Sequence, residues 1–315
     1  MPRHIEVIAG VITDASGRVL LAQRLPGSHM AGRWEFPGGK LEPGELEREG
    51  LVRELTEELA IEVTAASPLI GLRHEYPDRV VDLAIWRVDS YRGTPTGAEG
   101  QALCWAGVDS LHTIDLLEAD LPIIDALRLP ALQAITPPDL TDPQLLEQQV
   151  IDAVSRGAGM LQLRLPAATV AQLRELVGIA VAAARGCRVI VNGEPRTAAM
   201  LARDGGAAGI HVPSRFLPAL EETGRPDELV LGVSCHDADE LALAVRCGAN
   251  YASLSPVRAT LSHPDAVPIG WDHFEALARA ANLPVYALGG VVRDDLDRAR
   301  RAGAQGIAGI TSFFR

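Results

Sequence analysis

From residue 132 onward the chain repeats one pattern: a short apolar run, a turn, an amphipathic stretch, then another short apolar run. The runs fall at 132–136, 160–164, 188–192, 208–212, 229–234, 251–255, 285–288 and 306–310. They are rich in Val, Ile, Leu and Ala, as strands covered on both faces must be. Helical periodicity fills most of the gaps, for example at 143–156, 168–185, 237–247, 271–281 and 293–302. A helix between two strands carries the chain back to where the first began, so the strands pair in parallel. Eight such units are the number that closes a TIM (β/α)8 barrel. An open doubly wound sheet is the other architecture this alternation permits. The chain stops at Arg315, soon after the eighth run, so the expected barrel has a reduced last helix. Leu129-Pro130-Ala131 marks the expected boundary between a unit at 1–129 and this one at 130–315. A length of 315 residues suggests about two domains in any case.

The N-terminal part has a different rhythm. Residues 4–12 read as a buried strand, Asp14-Ala15-Ser16-Gly17 as a turn, and 19–24 as a returning strand. Further strands are expected near 68–75, 80–88 and 103–107, and a closing helix near 119–128. Between the second and third strands, Gly39-Lys40-Leu41-Glu42-Pro43-Gly44-Glu45 precedes a helix containing Arg53-Glu54-Leu55-Thr56-Glu57-Glu58-Leu59-Ala60-Ile61. At about 100° per residue, Glu54, Glu57 and Glu58 share an arc of roughly 100°. Leu51, Val52, Leu55 and Leu59 take the neighbouring arc and can face a core. Like charges at these spacings weaken a helix by a few tenths of a kcal/mol per pair, about what a bound cation would reverse. Mg²⁺ prefers such oxygen ligands, usually one or two carboxylates with waters and substrate phosphates. Taken alone, the three glutamates also read as a solvated acidic face salted by Arg48 and Arg53.

The glycine turn, the Glu45 spacing and the acidic run together resemble the Nudix box: G, five residues, E, seven residues, R-E-U, one residue, E-E, one residue, G-U, with U a bulky aliphatic. Gly39, Glu45, Arg53-Glu54-Leu55, Glu57-Glu58 and Ile61 match; Ala60 stands where the pattern has glycine. If that helix end needs a positive φ, alanine is strained there by about 1 kcal/mol. The resemblance implies an N-terminal Nudix α/β/α sandwich that hydrolyses nucleoside triphosphates with Mg²⁺, Mn²⁺ being an alternative ion. The ion would be held by the Gly39 carbonyl and by Glu54, Glu57, Glu58 and a loop carboxylate, Glu99. Glu54 is the expected proton acceptor for the attacking water, with Glu99 as the alternative. Glu45 would pair with Arg53 and brace the loop.

Over residues 4–128 the chain is similar to the MutT branch, the 8-oxo-dGTP diphosphatases. The similarity is carried by His29-Met30-Ala31-Gly32-Arg33-Trp34-Glu35-Phe36-Pro37-Gly38-Gly39-Lys40, by Tyr76-Pro77-Asp78-Arg79 and by Gly97-Ala98-Glu99-Gly100-Gln101. It implies a base pocket lined by Arg24, His29, Phe36 and Arg79, with Phe36 able to stack on a purine. Without the family, His29 reads as a loop histidine and Phe36 as core. Where MutT has a base-reading asparagine, the aligned position is Asp120, whose ionised side chain accepts hydrogen bonds but cannot donate them. Asp120 also reads as a helix N-cap.

The second unit resembles thiamine phosphate synthase and the TenI-type thiazole tautomerase over residues 131–313. Ala134-Ile135-Thr136, Gln162-Leu163-Arg164, Gly209-Ile210-His211-Val212, Gly232-Val233-Ser234-Cys235-His236 and Ala287-Leu288-Gly289-Gly290 carry the likeness. It implies a phosphorylated thiazole or thiamine-like ligand, its phosphate taken by backbone N–H groups at Gly289, Gly290, Gly309 and Thr311. The catalytic positions depart from the pattern. The synthase Asn-Asp pair is Asn192-Gly193, and its lysine falls on Pro166. Its metal-binding acid falls in Val212-Pro213-Ser214-Arg215, and its Thr-x-Thr-Lys loop reads Thr260-Leu261-Ser262-His263. A tautomerase histidine would fall on Pro256. The barrel is therefore expected to keep a phosphate site without synthase chemistry. His211, His236 and His263 are the histidines to examine for another role.

A formal net charge of −12 argues against a general nucleic-acid surface. No apolar run spans a bilayer, and the N-terminus enters a strand pattern without a secretory leader. Four cysteines without metal-ligand spacing read as reduced thiols, in keeping with a cytoplasmic location. Lys40 is the sole lysine, so nothing after it can use a lysine as base or phosphate clamp. A homodimer is left open. Three roles follow: nucleotide-pool sanitation, hydrolysis of a pyrimidine or thiamine diphosphate, and a barrel acting as ligand sensor or dimerisation module.

Overall fold

The computed structural model describes residues 3–260 and 266–314. Leu261, Ser262 and His263 lie outside the described residues. Contacts divide the chain into two compact units, Met1–Arg128 and Leu129–Arg315. Among the described residues no helix is long and apolar enough to cross a membrane, and the four cysteines are free.

The first unit runs β1 (Arg3–Ile12), β2 (Arg18–Gln23), β3 (Trp34–Glu35), β4 (Gly38–Lys40), α1 (Glu47–Leu59), β5 (Glu62–Tyr76), β6 (Arg79–Arg92), β7 (Leu103–Gly107) and α2 (Leu121–Arg128). One sheet has the order β4-β1-β6-β5 and the other β3-β2-β7. β1 and β6 pair in parallel, while β4 runs antiparallel to β1 with Gly39 opposite Ile8 and Gly38 opposite Ala9. Leu51, Leu55 and Leu59 on α1 are fully buried in one apolar cluster with Ile8, Ile12 and Leu20. Burying each such leucine contributes about 1.5–3 kcal/mol. A second cluster, with Val11, Leu21, Phe36, Ile85 and Ile123, includes residues of α2. With its leucine stripe on the core, α1 holds its glutamates at the edge of the sheet beside β4.

The barrel strands are β8 (Leu132–Ile135), β9 (Met160–Leu163), β10 (Arg188–Asn192), β11 (Gly209–Val212), β12 (Val230–Cys235), β13 (Tyr251–Leu254), β14 (Val285–Ala287) and β15 (Gly306–Gly309). Each pairs in parallel with the next, and β15 pairs with β8, so the sheet closes. Closure excludes the open sheet. Helices α3 (Pro143–Ser155), α4 (Val170–Ala183), α5 (Pro195–Gly205), α6 (Leu217–Thr223), α7 (Ala238–Arg246), α8 (Gly270–Ala280) and α9 (Leu296–Arg301) lie between the strands. No helix follows β15 among the described residues. The barrel interior holds Ile135, Met160, Ile190, Tyr251, Tyr286 and Ala308.

Candidate active site

The glycine turn and the acidic helix meet at one point. Gly38 has φ 152°, and a Cβ there would lie 2.1 Å from the Ile8 carbonyl oxygen, so only glycine fits beside β1. Its N–H donates to Glu58 Oε2 at 2.9 Å. A Cβ on Gly39 would fall 2.3 Å from Glu54 Oε2: the carboxylate lies directly over the bare Cα. Arg53 donates from Nη1 to Glu54 at 2.8 Å, from Nη2 to Glu45 at 2.8 Å and to the Lys40 carbonyl at 3.1 Å. Its bonds, with the Glu42 N–H, hold the Glu45 carboxyl down at about 2. Glu57 is more exposed and reaches Arg53 at 3.4 Å.

The loop carrying Glu99 is tied to the end of α1. Ala98 N–H and Gln101 Nε2 both donate to the Glu58 carbonyl, at 2.9 and 2.7 Å. Gln101 Oε1 accepts the Glu99 N–H at 3.0 Å. The Glu99 side chain is exposed and has no partner among the described residues. Glu58 feels this crowding: burial, then Glu35, Glu54 and Glu99, push its carboxyl up to about 8 against the pull of the Gly38 N–H. Ala60, which ends the helix, adopts φ 54° and ψ 37°, the left-handed conformation that the glycine of the pattern would take without strain.

Among the described residues no three acidic or imidazole side chains converge into a preformed cation cage. The donor set nevertheless fits a hard divalent ion. It is all oxygen, with Glu54 seated on a bare glycine and the neighbouring Glu58 raised by burial and by Glu35, Glu54 and Glu99. Mg²⁺ completes such sites with waters and substrate phosphates.

A second group of side chains lies toward α2. Asp120, 4% exposed, accepts the Phe36 N–H at 3.0 Å instead of capping α2. Burial, offset by that N–H and by Arg24 and reinforced by Glu35, raises its carboxyl to about 7. Phe36 itself is 2% exposed and packs in the cluster with Val11, Ile85 and Ile123, and its backbone N–H is what it presents to Asp120. Arg24 is already engaged, with Glu35 and with the His29 carbonyl. His29 packs edge-on against Tyr76, which also meets His74. Arg79 pairs with its neighbour Asp78 at the turn between β5 and β6. Sequence reading missed Glu35. This half-buried carboxylate acts electrostatically on both Glu58 and Asp120. Its only sequence signal was its place in the Trp34-Glu35-Phe36 run.

At the C-terminal ends of the barrel strands, Arg164 is half-buried and its guanidinium has no partner among the described residues. Gly289 and Gly290 have φ 91° and 67°, and a Cβ on either would meet residues 256–259 at 2.4–2.8 Å. Their N–H groups have no partner among the described residues. Gly309 ends β15, and Thr311 is exposed just beyond it. His211 is fully buried, whereas His236 is exposed and pairs with Glu240 at 2.9 Å.

An acidic helix over a glycine turn, followed by a closed parallel barrel, defines a two-part α/β protein. Residues 8–126 match the NUDIX domain family, and residues 132–313 match the family described as thiamine monophosphate synthase. The chain belongs to both: a Nudix domain fused to a thiamine monophosphate synthase-type domain. It is 42% identical over 137 residues to CTP pyrophosphohydrolase of Escherichia coli (strain K12), covering 44% of this chain and 99% of that protein. It is 35% identical over 126 residues to 8-oxo-dGTP diphosphatase of the same strain, covering 40% and 98%. The second unit is 31% identical over 188 residues to putative thiamine-phosphate synthase 2 of Aquifex aeolicus (strain VF5), covering 59% and 99%.

Proposed function

We propose that the first unit is a Mg²⁺-dependent nucleoside triphosphate pyrophosphohydrolase that releases a nucleoside monophosphate and pyrophosphate. The observation that carries this reading is the seating of Glu54 over Gly39 and of Glu58 on the Gly38 N–H, with the Glu99 loop tied to the Glu58 carbonyl. Gly39, Glu54, Glu57, Glu58 and Glu99 would hold the ion, with Mn²⁺ able to replace it. When bound, the ion neutralises phosphate charge and orients the reacting groups. Arg53 fixes Glu54 over Gly39 through one carboxylate oxygen, Oε1. Glu99, unpaired and on a loop braced by Gln101, is the better proton acceptor for the attacking water, which reverses the order expected from the sequence.

Asp120 is the base-reading group in this proposal. With its carboxyl at about 7, Asp120 is partly ionised at neutral pH, and in that form it accepts an N–H and repels a carbonyl oxygen. Cytosine offers its N4 amino group, and 8-oxoguanine offers the N–H at N7. Ordinary guanine presents two acceptors at that edge. The substrates named for the two Escherichia coli relatives, CTP and 8-oxo-dGTP, share this donor. The favoured activity is therefore hydrolysis of 8-oxo-dGTP, as in nucleotide-pool sanitation, or of CTP. A panel of 8-oxo-dGTP, dGTP, CTP and thiamine diphosphate at fixed Mg²⁺ tests it. Preference for thiamine diphosphate would instead make the chain an enzyme of thiamine metabolism.

The barrel, in the same proposal, binds a phosphorylated thiazole or thiamine-like ligand without a metal. Arg164 and the N–H groups of Gly289 and Gly290 supply positive charge and donors. Pro166 and Gly193 supply neither the lysine nor the carboxylate of the synthase pattern. Calorimetry of the full chain with thiamine monophosphate tests this reading; no heat of binding leaves the barrel a structural or dimerisation role.

A further inference from the structure

We propose that Gln133, Tyr251 and His211 form a hydrogen-bond chain of fixed polarity that makes the Ser234 hydroxyl a donor toward the barrel mouth, with Gln133 and Tyr251 as positioning residues for an anionic group held there; this rests on the reading of the mouth as a phosphate site. The chain starts at the buried floor. Gln133 on β8 is wholly buried, and its Nε2 donates to the Tyr251 hydroxyl at 3.0 Å and points to Gln162 Oε1 at 3.4 Å. Having accepted that hydrogen, the Tyr251 hydroxyl directs its own to His211 Nδ1, 3.2 Å away. A neutral imidazole has one accepting and one donating nitrogen. With Nδ1 accepting, Nε2 carries the hydrogen and donates to Ser234 Oγ at 2.9 Å, with Ser253 Oγ at 3.4 Å from the same nitrogen.

Ser234 is the half-buried end of this chain, near the C-terminal end of β12. Its oxygen has accepted from His211, so its hydrogen is free to point outward to an oxygen of a ligand. The ring stays neutral because burial, and then the Arg164 charge, hold it at about 3. The opposite polarity would turn the Ser234 lone pairs outward, against a phosphate.

Stability alone does not select such a network. The surrounding interior is Ile135, Met160, Ile190 and Ala308, and apolar side chains would fill it without a satisfaction problem. The Gln133 carbonyl oxygen, buried and without a hydrogen-bond partner, is what this arrangement leaves over.

The test uses the full chain with ¹⁵N-labelled histidine, the His211 signals being assigned through His211→Gln. The expected wild-type result is the neutral Nε2–H tautomer at neutral pH. Tyr251→Phe removes the hydrogen offered to Nδ1; mixed tautomers and about a tenfold weaker affinity for inorganic phosphate are expected. Gln133→Leu interrupts the same chain from its buried end and serves if Tyr251→Phe does not fold. A wild-type Nδ1–H tautomer overturns the proposal, as do unchanged His211 signals and phosphate affinity in both variants. Wild-type protein that shows the Nε2–H tautomer but binds no phosphate removes the mouth reading and the role assigned to Ser234. The tautomer measurement tells these failures apart.

Discussion

Ala60→Gly should make the first unit more stable. Ala60 sits at φ 54° and ψ 37°, where an L side chain crowds its own backbone at a cost of about 1–2 kcal/mol. Glycine escapes that cost but has more freedom when unfolded, which returns about 0.4–1 kcal/mol. The Ala60 side chain is exposed, so no packing is lost, and its N–H still reaches the Thr56 carbonyl at 3.1 Å. The balance is a gain of about 0.5–1 kcal/mol, a rise in midpoint of about 2–5 °C for a unit of this size. Differential scanning calorimetry of the full chain, following the first unit's transition, reads it. Ala60→Val is the opposing control: β-branching at positive φ should lower the midpoint. The backbone bonds that tie the Glu99 loop to this helix end come from Thr96 and Ala98 N–H to the Leu59 and Glu58 carbonyls. They do not involve the Ala60 side chain, so turnover should change little. An unchanged or lowered midpoint in the glycine variant would refute the reasoning, because the left-handed turn would then cost alanine nothing.

The remaining tests bear on chemistry. Glu54→Gln should abolish hydrolysis with the circular dichroism spectrum intact, and retained turnover would remove the ion site as drawn. Glu99→Gln should lower kcat by about 10²–10⁴-fold and erase the acidic limb of the pH–rate profile; an unaltered limb would return the proton to another group. Glu58 is raised from 4.5 to about 8, so its favourable effect on stability is full below about pH 4.5 and is lost as pH rises through 8 in metal-free protein. Urea titrations in chelator should show that decline and its flattening in Glu58→Gln, while Mg²⁺ affinity rises over the same window. Asp120→Asn adds a donor and should shift the kcat/KM ratio toward 8-oxo-dGTP over CTP by about 10–100-fold; no shift would mean that Asp120 does not read the base.

Periodicity made much of this fold legible. The eight apolar runs lie within a residue or two of the eight barrel strands, because a strand covered on both sides has to be apolar throughout. Spacing likewise announced the acidic helix, since a 3.6-residue repeat puts leucines on the core and glutamates on the rim. Phe36 shows the limit. The resemblance offered its ring as a stacking platform, and whether an aromatic ring faces a pocket or the core depends on neighbours distant in sequence, here Val11, Ile85 and Ile123. Glu35 was passed over for the same reason: its importance comes from proximity to Glu58 and Asp120, which no linear spacing encodes.

The sequence by itself determined the barrel's strand count and the stock of chemical groups: helix faces, a glycine turn before three glutamates, and Pro166 and Gly193 where the synthase pattern has a lysine and a carboxylate. Tertiary structure alone decided which groups remain available. Arg53 engages Glu54 and leaves Glu99 free, burial raises Glu58 and Asp120, and a buried amide sets the direction of hydrogen bonds to Ser234. The physical reason is that local periodicity depends on nearest neighbours along the chain, whereas desolvation and hydrogen-bond polarity depend on neighbours that only folding brings together.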